Sequence, residues 1–101
     1  MEQLERIQHF EMLLDRVAPV LGNLAEALDA FDDVQEDVRE LSAYYESDEW
    51  REDFEADEAG NLPKDLKRGV LSEDGIYDVL SEHYALTVRL LDTVSTILKN
   101  R

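Results

Sequence analysis

The sequence predicts an all-α protein: a long, kinked N-terminal helix and a C-terminal helix packed as a bundle, with a short acidic helix and an ordered loop between them. Three observations predict it. Apolar residues recur at heptad spacing for about five heptads from the start of the chain. Two prolines and four glycines in 101 residues leave long stretches without a breaker. An apolar fraction of 44% beside a charged fraction of 35% suits helices with one dry face and one wetted face. The length suits one domain over residues 1–101, with room for one core.

With Ile7 at heptad position a, the a positions read Ile7, Leu14, Leu21, Leu28 and Gln35. The d positions read Phe10, Val17, Leu24, Phe31, Val38 and Tyr45, and the g positions Leu13, Val20, Ala27, Val34 and Leu41. Such a stripe, three positions wide, belongs to a helix packed in a bundle or coiled coil. Pro19 falls at an outward f position with Gly22 nearby, so a kink is expected there, because proline removes a backbone bond and crowds the preceding turn. The stripe ends at Tyr45, because Asp48, Glu49 and Glu52 occupy its next positions. A turn is therefore expected near Ser47, which suits the N-cap of a short helix ending at Gly60, with Asp48 and Glu49 favourable in its first turn. Pro63 suits the first position of a one-turn helix closed by Gly69. Ser72 is expected to cap the last helix, lined by Ile76, Val79, Leu80, Leu86, Leu90, Val94 and Ile97.

The stretch AYYESDEWREDFEADEAGNLPKDLKRGVLSEDGIYDVL, residues 43–80, contains the distinctive pieces EADEAG, LPKDLKRG and VLSEDG. It resembles a bacterial family of short acidic proteins known as domain of unknown function 4298. The long helical run before it and the closing helix after it also fit. The resemblance implies a small helical bacterial protein and brings no activity and no catalytic residues.

Charge narrows the function classes. The net charge of −15 falls mainly on residues 1–45 (11 acids, 3 bases) and 46–60 (8 acids, 1 base). Nucleic-acid backbones and anionic membranes attract the opposite sign, so neither is an expected partner. No apolar run is long enough for a membrane span, and the opening residues lack the pattern of a signal peptide, so a cytoplasmic location is expected. The absence of cysteine excludes disulfides, thiolate zinc sites and cysteine nucleophiles.

Several clusters carry possible chemistry. Glu49, Glu52 and Asp53 stand at helical i, i+3 and i+4 spacings, the arrangement by which two carboxylates share a hard cation in an all-α phosphohydrolase. Most other acidic residues sit on outward helix positions, which points to a solvated face, or to a nucleic-acid mimic. An EF-hand reading of the stretch from Asp53 fails, because Glu58 stands where glycine is needed and Lys64 where a bidentate glutamate is needed. Tyr44, Tyr45, Trp50 and Phe54 suit a partner groove, or packing of the short helix against Leu62, Leu66, Val70 and Leu71. Lys64, Lys67 and Arg68 form the basic cluster, suited to an acidic partner or to compensating the acidic helix beside them. Gly75 is costly inside a helix unless a backbone approaches closely. Gln35 at an a position and His83 on the inner face of the last helix are expected to pair if Ile76 lies level with Leu41.

A first helix over residues 2–45 would be about 66 Å long and the last, over 73–99, about 40 Å, leaving about 26 Å of stripe uncovered. That stretch includes Leu4, Ile7, Phe10 and Leu13, and apolar surface of such extent calls for cover. Either the chain bends at Pro19–Gly22 and folds back, or two molecules pair through their N-terminal halves, the arrangement favoured here. The expected function is therefore a non-enzymatic interaction module that self-associates and engages a protein partner, without a cofactor.

Overall fold

The computed structural model describes residues 2–101. Four α-helices and one 3-10 turn follow in order: α1 (Gln3–Asp33), α2 (Gln35–Tyr45), α3 (Asp48–Glu58), the 3-10 turn Gly69–Leu71, and α4 (Gly75–Lys99). No strand occurs among the described residues. The chain divides into two compact units, Met1–Glu36 and Asp37–Arg101.

In the first unit, Glu2 is extended and its carbonyl receives the Arg6 N–H at 2.8 Å, opening α1. The helix passes through Pro19 without interruption. The expected helix over residues 2–45 is instead divided at Val34, where φ is −95° and ψ 3°. There the Gln35 side-chain amide donates to the Phe31 carbonyl at 2.8 Å, so a side chain bridges the break. None of the residues of α1 is buried, since this unit offers no second element to cover its stripe.

The second unit turns at Ser47, as its position in the sequence predicts. The Ser47 Oγ accepts the Trp50 N–H at 3.2 Å and donates to the Tyr44 carbonyl at 2.6 Å, so one hydroxyl ends α2 and caps α3. The end of α3 is a Schellman motif: Asn61 N–H reaches the Ala56 carbonyl and Gly60 N–H the Asp57 carbonyl, each at 3.0 Å. Gly60 takes the left-handed conformation this requires, with φ 75°.

The loop departs from expectation. Residues 63–66 form a turn, with Leu66 N–H on the Pro63 carbonyl at 3.2 Å, and not a one-turn helix. Gly69 opens the 3-10 turn where it was expected to close a helix. The reason lies in Arg68, whose guanidinium donates to the carbonyls of Pro63 (2.5 Å) and Leu66 (3.3 Å) and so supplies donors that a helical backbone would provide.

Ser72 is extended, and its Oγ accepts the Gly75 N–H at 3.0 Å while donating to the Gly69 carbonyl at 2.9 Å. The cap expected at Ser72 is thus made, although helical geometry begins only at Gly75. Leu71 and Ile76, 6% and 3% exposed, are the buried apolar residues among those described. Leu41 and Ile76 line one open apolar concavity of about 450 Å³ together with Lys67, Gly69, Val70, Gly75 and Val79.

Candidate interaction surface

The first candidate surface is the stripe of α1. Leu4, Ile7 and Phe10 are exposed and Leu13 is half-buried. Farther along, Leu14 and Leu21 are each 60% exposed. Leu13, Arg16, Val17, Val20 and Leu21 line a shallow, open hollow of about 400 Å³ at the middle of the helix. The a, d and g positions that sequence reasoning selected therefore present a continuous apolar face with a recess at its centre. Near the start, the His9 ring stands edge-on to Phe10 at 5.1 Å.

The aromatic set lies at the junction of α2 and α3. Trp50 stacks on Phe54, with ring centres 5.2 Å apart, and meets Tyr45 edge-on at 5.1 Å. Its indole N–H donates to the Val70 carbonyl at 2.8 Å, tying α3 to the 3-10 turn. Trp50 and Phe54 are both half-buried. These rings thus spend much of their surface within their own unit.

Of the basic cluster, Arg68 pairs with Asp57 at the end of α3 and holds two loop carbonyls. Its guanidinium is a clamp on the loop. Lys64 and Lys67 are exposed, and Lys67 borders the concavity beside Val70 and Ile76.

Glu49, Glu52 and Asp53 are exposed on α3. Asp53 accepts the Tyr44 O–H at 2.6 Å, joining α2 to α3. That hydrogen bond, then desolvation and the negative charges of Asp53 and Glu49, push the Tyr44 phenol up to about 12. Among the described residues, no group of three or more His, Asp or Glu side chains is placed to hold a metal ion.

Gln35 closes the first unit with its amide nitrogen on Phe31, and His83 is half-buried on α4. The Thr87 hydroxyl donates to the His83 carbonyl at 2.8 Å. Sequence reasoning missed the Tyr44–Asp53 link and, although it offered Val70 as a packing partner of the aromatic set, the hydrogen bond from the Trp50 indole to the Val70 carbonyl. The first joins residues nine apart across a turn and the second residues twenty apart, beyond any helical repeat.

No helix among the described residues is long and apolar enough to cross a membrane. Helices alone, with a heptad stripe on the first, define the chain as an all-α protein. It belongs to the family of domain of unknown function DUF4298, whose model matches residues 7–93. No curated protein compared with the chain matches it.

Proposed function

We propose that this protein is a non-enzymatic helical interaction module that self-associates through the apolar stripe of α1. The observation that carries the reading is the exposure of that stripe, with Leu14 and Leu21 each 60% exposed on a helix that has no covering element in its own unit. Leaving such a face in water costs about 25 cal/mol for each Å² that a partner could cover.

Charge favours a second copy as the occupant. Residues 3–24 carry 3 acids and 2 bases, whereas residues 25–58 carry 15 acids and 2 bases. Two chains of net charge −15 repel each other, and the first segment is where they approach with little penalty. Taking α1 as a cylinder about 46 Å long and 10 Å wide, one third of its surface on each of two copies amounts to about 1,000 Å². That sits at the lower bound for a specific interface, the size class of weak and transient contacts, so we propose a weak dimer and take a micromolar dissociation constant for its test. The carboxylates of the acidic segment stand mainly at outward positions away from the seam, and they suit a protein partner with a basic surface.

Light scattering across about 10–200 µM tests the reading, this being the range where a micromolar dimer assembles. The mass rises with concentration in the native chain, and the double substitution Leu14→Glu, Leu21→Glu holds it at the monomer value. A monomeric native chain throughout refutes self-association.

A further inference from the structure

We infer that two copies of α1 pair antiparallel, crossing at the hollow in the middle of the helix. The inference rests on the self-association proposed above and adds its geometry. Within the first unit the charge is uneven: residues 3–24 carry 3 acids and 2 bases, and residues 25–36 carry Glu26, Asp29, Asp32, Asp33 and Glu36 with no base. Chain connectivity then appends residues 37–58, with 10 acids and 2 bases, to that same end.

A parallel pair in register sets the two acidic ends side by side. Paired helix axes lie about 8–10 Å apart, comparable with the Debye length at physiological salt, so the repulsion is only partly screened. An antiparallel pair places each acidic end beside the weakly charged end of its partner and separates the two acidic ends by the length of α1. One contact favours the parallel form: Arg6 at a g position would reach Glu11 of the partner subunit at an e position. It is an exposed ion pair, the kind that contributes little. The summed charge of the acidic ends outweighs it.

The heptad positions accept the antiparallel arrangement without conflict. Val17 stands opposite Leu21 of the partner subunit, Leu14 opposite Leu24 of the partner subunit, and Phe10 opposite Leu28 of the partner subunit, a d or a residue meeting its counterpart in each layer. The central layer falls on the hollow lined by Leu13, Val17, Val20 and Leu21. At its flank Ala18 faces Ala18 of the partner subunit, and Glu11 faces Ala25 of the partner subunit, so no like charges oppose each other. Pro19, at an f position, points away from the seam.

The absence of cysteine allows single spin labels at two outward positions of the full chain, Gln8→Cys and Ala30→Cys. In the antiparallel pair, like labels lie about 33 Å apart along the axis, at 1.5 Å for each of the residues between opposed positions. An equimolar mixture of the two variants then gives a new short distance of about 10–20 Å, set by the spacing of paired helices. Short like-label distances in a chain of dimeric mass overturn the orientation and leave self-association standing. A labelled chain of monomeric mass at every concentration overturns both, starting from the reading on which this one rests.

Discussion

Tyr44 and Gly75 each depend on one neighbouring group. The Tyr44 hydroxyl donates to Asp53, and the fold thereby favours the neutral phenol, whose pKa rises from 10.0 to about 12. A raised pKa contributes stability that is complete below the unfolded value and lost as pH climbs through the folded one, so the window runs from about pH 10 to pH 12. Ultraviolet titration is expected to show one phenol ionising near 12 in the native chain. Asp53→Asn lowers that value, and Tyr44→Phe removes the transition; a native chain with no late-ionising phenol contradicts the link. At Gly75 an added Cβ would come within 2.3 Å of the Gly69 carbonyl oxygen and 2.6 Å of the Ser72 Oγ. The obstacle is backbone and cannot rotate away. Gly75→Ala is expected to destabilise by about 1–3 kcal/mol in denaturant unfolding. At Gly22, inside α1, a Cβ meets nothing within 4 Å, and Gly22→Ala is expected to stabilise by about 0.5–1 kcal/mol. Equal effects at the two glycines would contradict the close approach.

The elements show which signals a sequence carries. Ser47 and Gly60 mark the ends of α3 because capping and left-handed geometry act within a few residues, where residue type is decisive. The heptad stripe locates the face of α1 for the same reason. Periodicity gave no sign of the break at Val34, where an apolar g residue continues the pattern while the backbone leaves helical geometry. The loop was illegible for a different reason. Pro63 and Gly69 have the spacing of a short helix, but Arg68 reaches back to Asp57, Pro63 and Leu66, and a side chain bridging eleven residues leaves no local signature. Loss of this clamp in Arg68→Ala is expected to cost about 1–3 kcal/mol, the range for hydrogen bonds to a charged group. Hydrogen exchange should quicken first at Leu66 and Leu71, whose N–H groups bond to Pro63 and Arg68. Unchanged exchange there would contradict the role given to Arg68. Of the candidate surface, the apolar stripe of α1 was readable, as were the packing of Trp50 toward Val70 and the basic cluster's place beside the acidic helix, whereas the particular bonds of the Trp50 indole and the Arg68 guanidinium were not.

At the scale of the whole molecule, charge and apolar surface are segregated along the chain. Residues 25–58 hold 15 of the 25 acids, and residues 3–24 hold 3. Self-repulsion within the acidic segment opposes compaction, so added salt is expected to raise the melting temperature by screening it. A melting temperature that falls between low and physiological salt would contradict this. The same segregation supports our proposal that the α1 stripe is the surface on which two copies meet. Sedimentation equilibrium of the full chain over about 10–200 µM, the span set by a micromolar dissociation constant, tests that claim most directly. A mass climbing from 11.7 kDa toward twice that value is expected, with Leu14→Glu, Leu21→Glu held at 11.7 kDa. A native chain that stays at 11.7 kDa across the whole range would contradict it.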